Sequence, residues 1–286
     1  MSAIPPFEIR EPKAGAAVSP LVFASPHSGR IYPAEMMDAA ALDAQAIRKS
    51  EDAFVDELIG AATDHGATLL LARLARAYVD VNREAYELDP AMFEDELPEF
   101  AKASTARVAA GLGSIARIVS EGHEIYARKL TFEEAAARIE AAHRPYHAAL
   151  EDLLERARAR HGVAVLVDWH SMPSAAAAQA RGGKGCDLVL GDRFGAACSP
   201  LLTRLVEQQF EAMGYRTVRN APYAGGYTTE HYGRPARRVH ALQIEINRAL
   251  YLDEATMAPT EGLSRLAGDI ERLTEVLAGA DWDRLR

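Results

Sequence analysis

Two histidines carry the strongest chemical signal in the sequence. His170 lies in Val163-Ala-Val-Leu-Val-Asp-Trp-His-Ser-Met-Pro173, and His27 follows Leu21-Val-Phe-Ala in Ser25-Pro-His-Ser-Gly29. Each stretch reads as a buried, largely β-branched or aliphatic strand that delivers a polar cluster at its carboxyl end, where open α/β sheets bind ligands. A neutral imidazole is a strong ligand for a divalent metal, and catalytic zinc sites take three protein ligands while leaving one position for water. The plainer reading of both residues is a strand-end histidine hydrogen-bonded to a carbonyl.

A third ligand requires a nearby carboxylate. Asp52 and Glu51 are the nearest candidates, because a helix following the first strand brings its early turns over the strand ends; the alternative for both is a solvated helix start. Asp168 precedes His170 by two residues, so the two share a strand face, and Asp168 can orient an imidazole or cap the following turn. Glu245 lies in Gln243-Ile-Glu-Ile-Asn-Arg248, where apolar and polar residues alternate. A carboxylate within a sheet strand is costly unless paired or used, which makes Glu245 either a general base or one half of a buried pair with an arginine such as Arg248. Asn82-Arg83 at another predicted strand end, Arg144, Tyr227 and His231 are candidates for holding an anion, Arg through its bidentate fork; singly, each is more often a surface residue. Cys186 and Cys198 lack a nucleophile context, and no Walker or GxGxxG pattern is present.

The elements that must position these groups follow from periodicity. Strands are predicted at Leu21 to Ala24, Ala67 to Ala72, Ala77 to Asn82, Val163 onward, Asp187 to Gly191, Tyr215 to Arg219 and His240 to Asn247. Helices are predicted at Asp43 to Ala62, Thr131 to Arg160, Ser199 to Met213 and Leu263 to Leu277. Thr131 caps the second of these and Pro145 must kink or split it. Residues 1 to 20 read as an irregular lead-in, 84 to 120 as a long loop region able to form a lid, the Gly- and Ala-rich stretch after Pro173 as a loop, and Asn220 to Pro235 as a glycine-rich loop. The alternation of helix and strand implies an α/β fold with a largely parallel sheet, in one domain spanning residues 1–286.

Composition narrows the function classes. A formal net charge of −9 argues against a nucleic-acid partner but leaves room for a small anionic substrate in a locally basic pocket. No apolar run approaches the roughly 18 residues a membrane span needs, and the N-terminal residues show no secretory pattern, so a cytoplasmic protein without a membrane partner is expected. Two cysteines without a CxxC spacing suit a reducing compartment. Nothing in the sequence decides whether the chain is a homo-oligomer.

The sequence is similar to the N-formylglutamate amidohydrolase family. The resemblance rests on Ser25-Pro-His-Ser-Gly29, Asp52 with Val55, Asp56 and Leu58, Tyr78-Val-Asp-Val-Asn-Arg83, His143-Arg-Pro-Tyr-His147, Asp168-Trp-His-Ser171, Gly225-Gly-Tyr-Thr-Thr-Glu-His-Tyr-Gly-Arg-Pro235 and Gln243-Ile-Glu-Ile-Asn-Arg248, in order over roughly residues 21 to 254. It implies a three-layer α/β/α fold with a mostly parallel mixed sheet, similar to zinc carboxypeptidases and aspartoacylase. It also implies zinc-dependent hydrolysis of an N-acylated acidic amino acid, N-formyl-L-glutamate foremost, and a place in histidine catabolism. By the same resemblance His27, Asp52 and His170 would bind one Zn2+ or another divalent ion, and Glu245 would be the general base. Asn82 and Arg83 would hold a substrate carboxylate, with Arg144, Tyr227 and Arg248 as further substrate contacts. The carboxypeptidase ligand pair His-x-x-Glu is absent, since Arg30 stands three residues after His27, which leaves Asp52 and Glu51 as alternatives. A carboxypeptidase or amidase acting on a peptide or cell-wall fragment, and a binding protein without catalysis, are the competing readings.

Overall fold

The computed structural model describes residues 4–119 and 122–285. The strands of its main sheet are β1 (Phe7–Arg10), β2 (Leu21–Ser25), β3 (Thr68–Ala72), β4 (Ala164–Met172), β5 (Leu188–Gly191), β6 (Thr217–Arg219) and β7 (Val239–Asn247). They form one sheet in the order β1-β3-β2-β4-β7-β5-β6. The pairs β2·β3, β2·β4, β4·β7 and β5·β6 are parallel, whereas β5 runs antiparallel to β7. The helices are α1 (Ala34–Ala39), α2 (Ala44–Ile47), α3 (Val55–Leu58), α4 (Ala106–Ala109), α5 (Phe132–Arg138), α6 (Arg144–His161), α7 (Ser174–Gly183), α8 (Pro200–Ala212), α9 (Tyr227–Tyr232) and α10 (Gly262–Ala278). The fold is therefore α/β, with a mixed central sheet and flanking helices. No helix among the described residues is long and apolar enough to cross a membrane.

Strand alternation separates the chemistry from the main core. Val165, Val167 and Trp169 of β4 and Leu242, Ile244 and Ile246 of β7 pack with Leu202, Val206 and Phe210 of α8 and Leu266, Ile270 and Leu273 of α10. Each such side chain contributes on the order of 1.5–3 kcal/mol of burial. Because successive strand residues face opposite ways, Asp168, His170, Gln243 and Glu245 are turned to the other face of the same two strands.

The chain divides into two compact units. One comprises residues 4–8, Pro26–Glu51 and Ala72–Ala149; the other comprises Ile9–Ser25, Asp52–Leu71 and residues 150–285, and holds most of the sheet. The first has its own apolar cluster, in which Leu88, Met92, Phe93 and Ile115 pack with Ala135 and Ile139. The segment 84–120, expected to be a long loop, is over its described residues 84–119 largely irregular but anchored by its own buried residues and by the short helix α4.

Several expected elements differ. The predicted helix Asp43 to Ala62 is broken: Asp43 caps α2 by accepting from the Gln45 and Ala46 amides, a 3-10 turn follows over Arg48–Ser50, Glu51 is extended, and Phe54 takes φ +63° before α3. The interruption lets two consecutive buried carboxylates, Glu51 and Asp52, reach separate partners, which one helical stripe could not provide. The predicted strand Ala77 to Asn82 is a buried turn, in which the Asp80 amide donates to the Ser114 carbonyl and the Asp80 carboxylate accepts from the Asn82 amide at 2.9 Å. The Ala-rich stretch after Pro173 is helix α7, as the high helix propensity of alanine allows, and the glycine-rich loop contains α9. Part of the lead-in forms β1. Thr131 does build a capping box with Glu134, and the helix it opens changes to a π turn over Ile139–His143 just before Pro145, which has no amide hydrogen to offer the preceding turn.

Candidate metal centre

β4 carries the centre's best-defined half. The Nδ1 of His170 is 3.0 Å from Asp52 Oδ2, and its Nε2 is 3.1 Å from Asp168 Oδ2. The other Asp52 oxygen, Oδ1, accepts from Arg248 Nη2 at 3.0 Å, and Arg248 Nε donates to Ser171 Oγ at 3.1 Å. Burial opposes a charged imidazole here, yet the carboxylates of Asp168, Asp52 and Glu245 hold the His170 pKa well above the ordinary histidine range. The surroundings of this ring favour a cation.

His27 has a carboxylate of its own. Its Nε2 donates to Asp80 Oδ1 at 2.7 Å, and Arg76 Nη2 reaches Asp80 Oδ2 at the same distance. Although burial opposes its charge, the guanidinium of Arg76, His27 and the guanidinium of Arg83 hold Asp80 well below the usual carboxylate range. A carboxylate only accepts, so the proton of a neutral His27 resides on Nε2 and Nδ1 keeps a lone pair. Asp168 plays the same part for His170 if Nδ1 is the ligating atom. A carboxylate on the outer nitrogen of a ligating imidazole fixes its tautomer and raises its basicity.

His27, Asp52 and His170, all buried, each offer one ligand atom within 4.8 Å of the others. Two imidazoles and a carboxylate are the donor set of a catalytic zinc site, so these residues fit a divalent ion. Glu51 goes elsewhere. Tyr32 donates to its Oε1 at 2.7 Å and Arg48 Nε at 3.2 Å, while Asp52 is the carboxylate grouped with the two histidines.

Glu245 is held beside His170 by the sheet, as the two are register partners in β4·β7, and Asp168 partners Gln243. It is 8% exposed. Gln243 Nε2 donates to Glu245 Oε1 at 2.8 Å. Arg248, expected to form a buried pair with Glu245 or to contact substrate, reaches Asp52 through its guanidinium.

The remaining candidates separate. Asn82 is buried in the Asp80 turn, and Arg83 donates through Nε to Leu112 O at 2.9 Å and through Nη1 to Asn82 O at 2.8 Å. Tyr227 opens α9 with its ring stacked on the exposed His231, centroids 5.0 Å apart. Arg144, expected to contact substrate, is exposed on α6 and pairs with Glu140 one turn earlier. Its neighbours do the positioning: His143 Nε2 donates to Arg83 O at 2.8 Å and His147 Nε2 to Val81 O at 2.7 Å. These two histidines, Asp80 and Gln243 had no assigned role in the sequence reading. Their only signal was membership of the motifs His143-Arg-Pro-Tyr-His147, Tyr78-Val-Asp-Val-Asn-Arg83 and Gln243-Ile-Glu-Ile-Asn-Arg248.

Comparison with known proteins follows the same lines. The sequence profile of the N-formylglutamate amidohydrolase family matches residues 19–252. The chain belongs to the N-formylglutamate amidohydrolase family. It is 33% identical over 238 residues to an N-formylglutamate deformylase of Pseudomonas putida, covering 82% of each chain. It is 31% identical over 239 residues to an N-formylglutamate deformylase of Pseudomonas aeruginosa, with 82% of this chain and 83% of the relative covered. The crystal structure of an N-formylglutamate amidohydrolase from Ralstonia eutropha JMP134 superposes with a TM-score of 0.90 at 40% identity, covering 96% of this chain and 98% of that one. The motif residues of the N-formylglutamate amidohydrolase resemblance, Ser25 to Arg248, all lie within the matched span.

Proposed function

We propose that this chain hydrolyses N-formyl-L-glutamate to formate and L-glutamate in a metal-dependent reaction. The observation that carries the reading is the buried group of His27, Asp52 and His170 with Glu245 as the strand neighbour of His170, in a chain of this family. A bound divalent ion, Zn2+ by its preference for this donor set, supplies Lewis-acid polarisation of a carbonyl and lowers the pKa of water.

The protein's own groups account for the rest. Glu245 takes a proton from the attacking water as the C–O bond forms, and delivers it to the amide nitrogen as the C–N bond breaks, releasing the amine. Asp168 and Asp80 hold the outer nitrogens of the two imidazoles, so neither ring rotates or changes tautomer during the reaction. Arg248 holds Asp52 through its Oδ1 and leaves Oδ2 on the His170 side. Arg83, set by the carbonyls of Asn82 and Leu112, is our candidate for gripping a substrate carboxylate, and Asn82 and Tyr227 are further candidates for substrate contact. A site built to pair a buried charge rejects analogues that lack it.

Formate release from a panel of N-formyl and longer N-acyl amino acids tests this reading. N-formyl-L-glutamate is expected to give the highest kcat/KM, with a loss on removing the side-chain carboxylate. Preference for a peptide or cell-wall fragment would overturn the substrate assignment, and no hydrolysis of any acyl amino acid would overturn the reaction.

A further inference from the structure

Gln243 is buried in the middle of β7 and makes two side-chain hydrogen bonds, one to each side. Its Oε1 accepts from the Gly226 amide at 2.7 Å, and its Nε2 donates to Glu245 Oε1 at 2.8 Å. A backbone amide can only donate, so Gly226 must face the carbonyl oxygen of the side chain, and the NH2 end must then face Glu245. The amide cannot flip without breaking both bonds inside the protein, where an unmade bond costs more than in water. Gln243 and Glu245 are two residues apart on one strand and therefore share a face, which makes this short bridge possible.

The loop that supplies the Gly226 amide is itself held down. Gly191 is the register partner of Gln243 on β5, and a Cβ there would lie 2.7 Å from the Gly225 nitrogen and 2.8 Å from the Ala224 carbonyl carbon. Only glycine lets the 224–226 backbone approach the sheet so closely. The Arg193 amide donates to Ala224 O at 2.8 Å, and its guanidinium pairs with Glu230 of α9 at 3.0 Å. Tyr227 follows Gly226 directly.

We infer that Gln243 is the positioning residue of the general base: its amide aims one oxygen of the Glu245 carboxylate and ties that aim to the glycine loop bearing Tyr227. The inference rests on Glu245 being the base. A base that must take a proton from one atom and return it to another gains from a single fixed orientation, because misplacement by about 1 Å can cost on the order of 100-fold in rate.

Gln243→Glu separates the two bonds, since it keeps an acceptor for Gly226 and replaces the donor to Glu245 by an acceptor. Gln243→Met, of similar length, removes both and serves if the charged variant does not fold. With the metal-loaded protein and N-formyl-L-glutamate, each is expected to lower kcat by about tenfold or more while KM and metal content stay within about twofold. In a Glu245→Gln background the same substitutions should cost less than about twofold, because the group they aim is gone. Unchanged kcat, or an equal loss in both backgrounds, overturns the inference. A Glu245→Gln protein with near-normal turnover would instead remove the underlying reading of Glu245 as base.

Discussion

His170 on β4 and Glu245 on β7 are register partners in a parallel strand pair, so the sheet itself holds an imidazole and a carboxylate side by side on one face. The opposite face of the same strands is apolar and packed against α8 and α10. Rigid, buried strands make better supports for such a pair than loops do.

Glu245→Gln preserves shape and loses the proton acceptor. It should retain the metal and lower kcat by about 10²–10⁴, the usual contribution of a general base. Steady-state kinetics together with elemental analysis check this; wild-type kcat in a metal-replete variant would remove Glu245 from that role.

Metal binding should depend on the imidazoles and on the carboxylates behind them. The wild-type protein is expected to hold about one zinc per chain, and His170→Ala to lose most of it. Asp168→Asn leaves the ligands in place and should weaken metal affinity by about 10–100-fold. Competition against a chelator measures both, and an Asp168→Asn protein with unaltered affinity would count against an orienting role.

Arg83 and Arg144 should respond differently. Arg83→Ala removes a half-buried guanidinium near Asp80 and is expected to raise KM for the dicarboxylate substrate. Arg144→Ala breaks an exposed pair with Glu140, worth about 0.2–1 kcal/mol at most, and should leave kcat/KM within about twofold. A large kinetic loss in Arg144→Ala would place it at the substrate site.

His240 gives the fold an acid sensitivity apart from the catalytic groups. Burial, and then the charge of Arg238, push its pKa down to about 4. Its Nδ1 accepts from the Ser199 amide at 3.1 Å. The unfolded chain, with a histidine pKa of about 6.5, binds the proton more readily, so stability is fully present above that pH and is lost as pH falls toward about 4. His240→Asn keeps an acceptor for Ser199 without the titration. Denaturant unfolding at pH 7 and pH 5 should show a smaller acid-induced loss in the variant than in the wild type; equal losses would refute the assignment.

Much of the site was legible in the sequence because strand-end chemistry is local. An apolar run closed by Asp168, Trp169, His170 and Ser171 announces both a buried strand and the polar groups at its end, and the alternation around Glu245 places a carboxylate in a sheet. Family resemblance supplied the roles. The α/β class likewise follows from the alternating helix and strand periods, which depend on neighbours a few residues apart.

What only the tertiary structure decided depends on contacts between distant segments. Asp52 and Glu51 are adjacent, equally acidic and equally buried, and no local rule distinguishes them; Tyr32 and Arg48 take one, and His170 and Arg248 take the other. The helix predicted through them breaks for that reason, since burial of two neighbouring charges outweighs helical propensity. Asp80 looked like a strand residue because its neighbours alternate, yet its carboxylate is spent on its own turn, on Arg76 and on His27. Periodicity reports which face a residue occupies, whereas the partner that satisfies a buried charge is chosen by the fold.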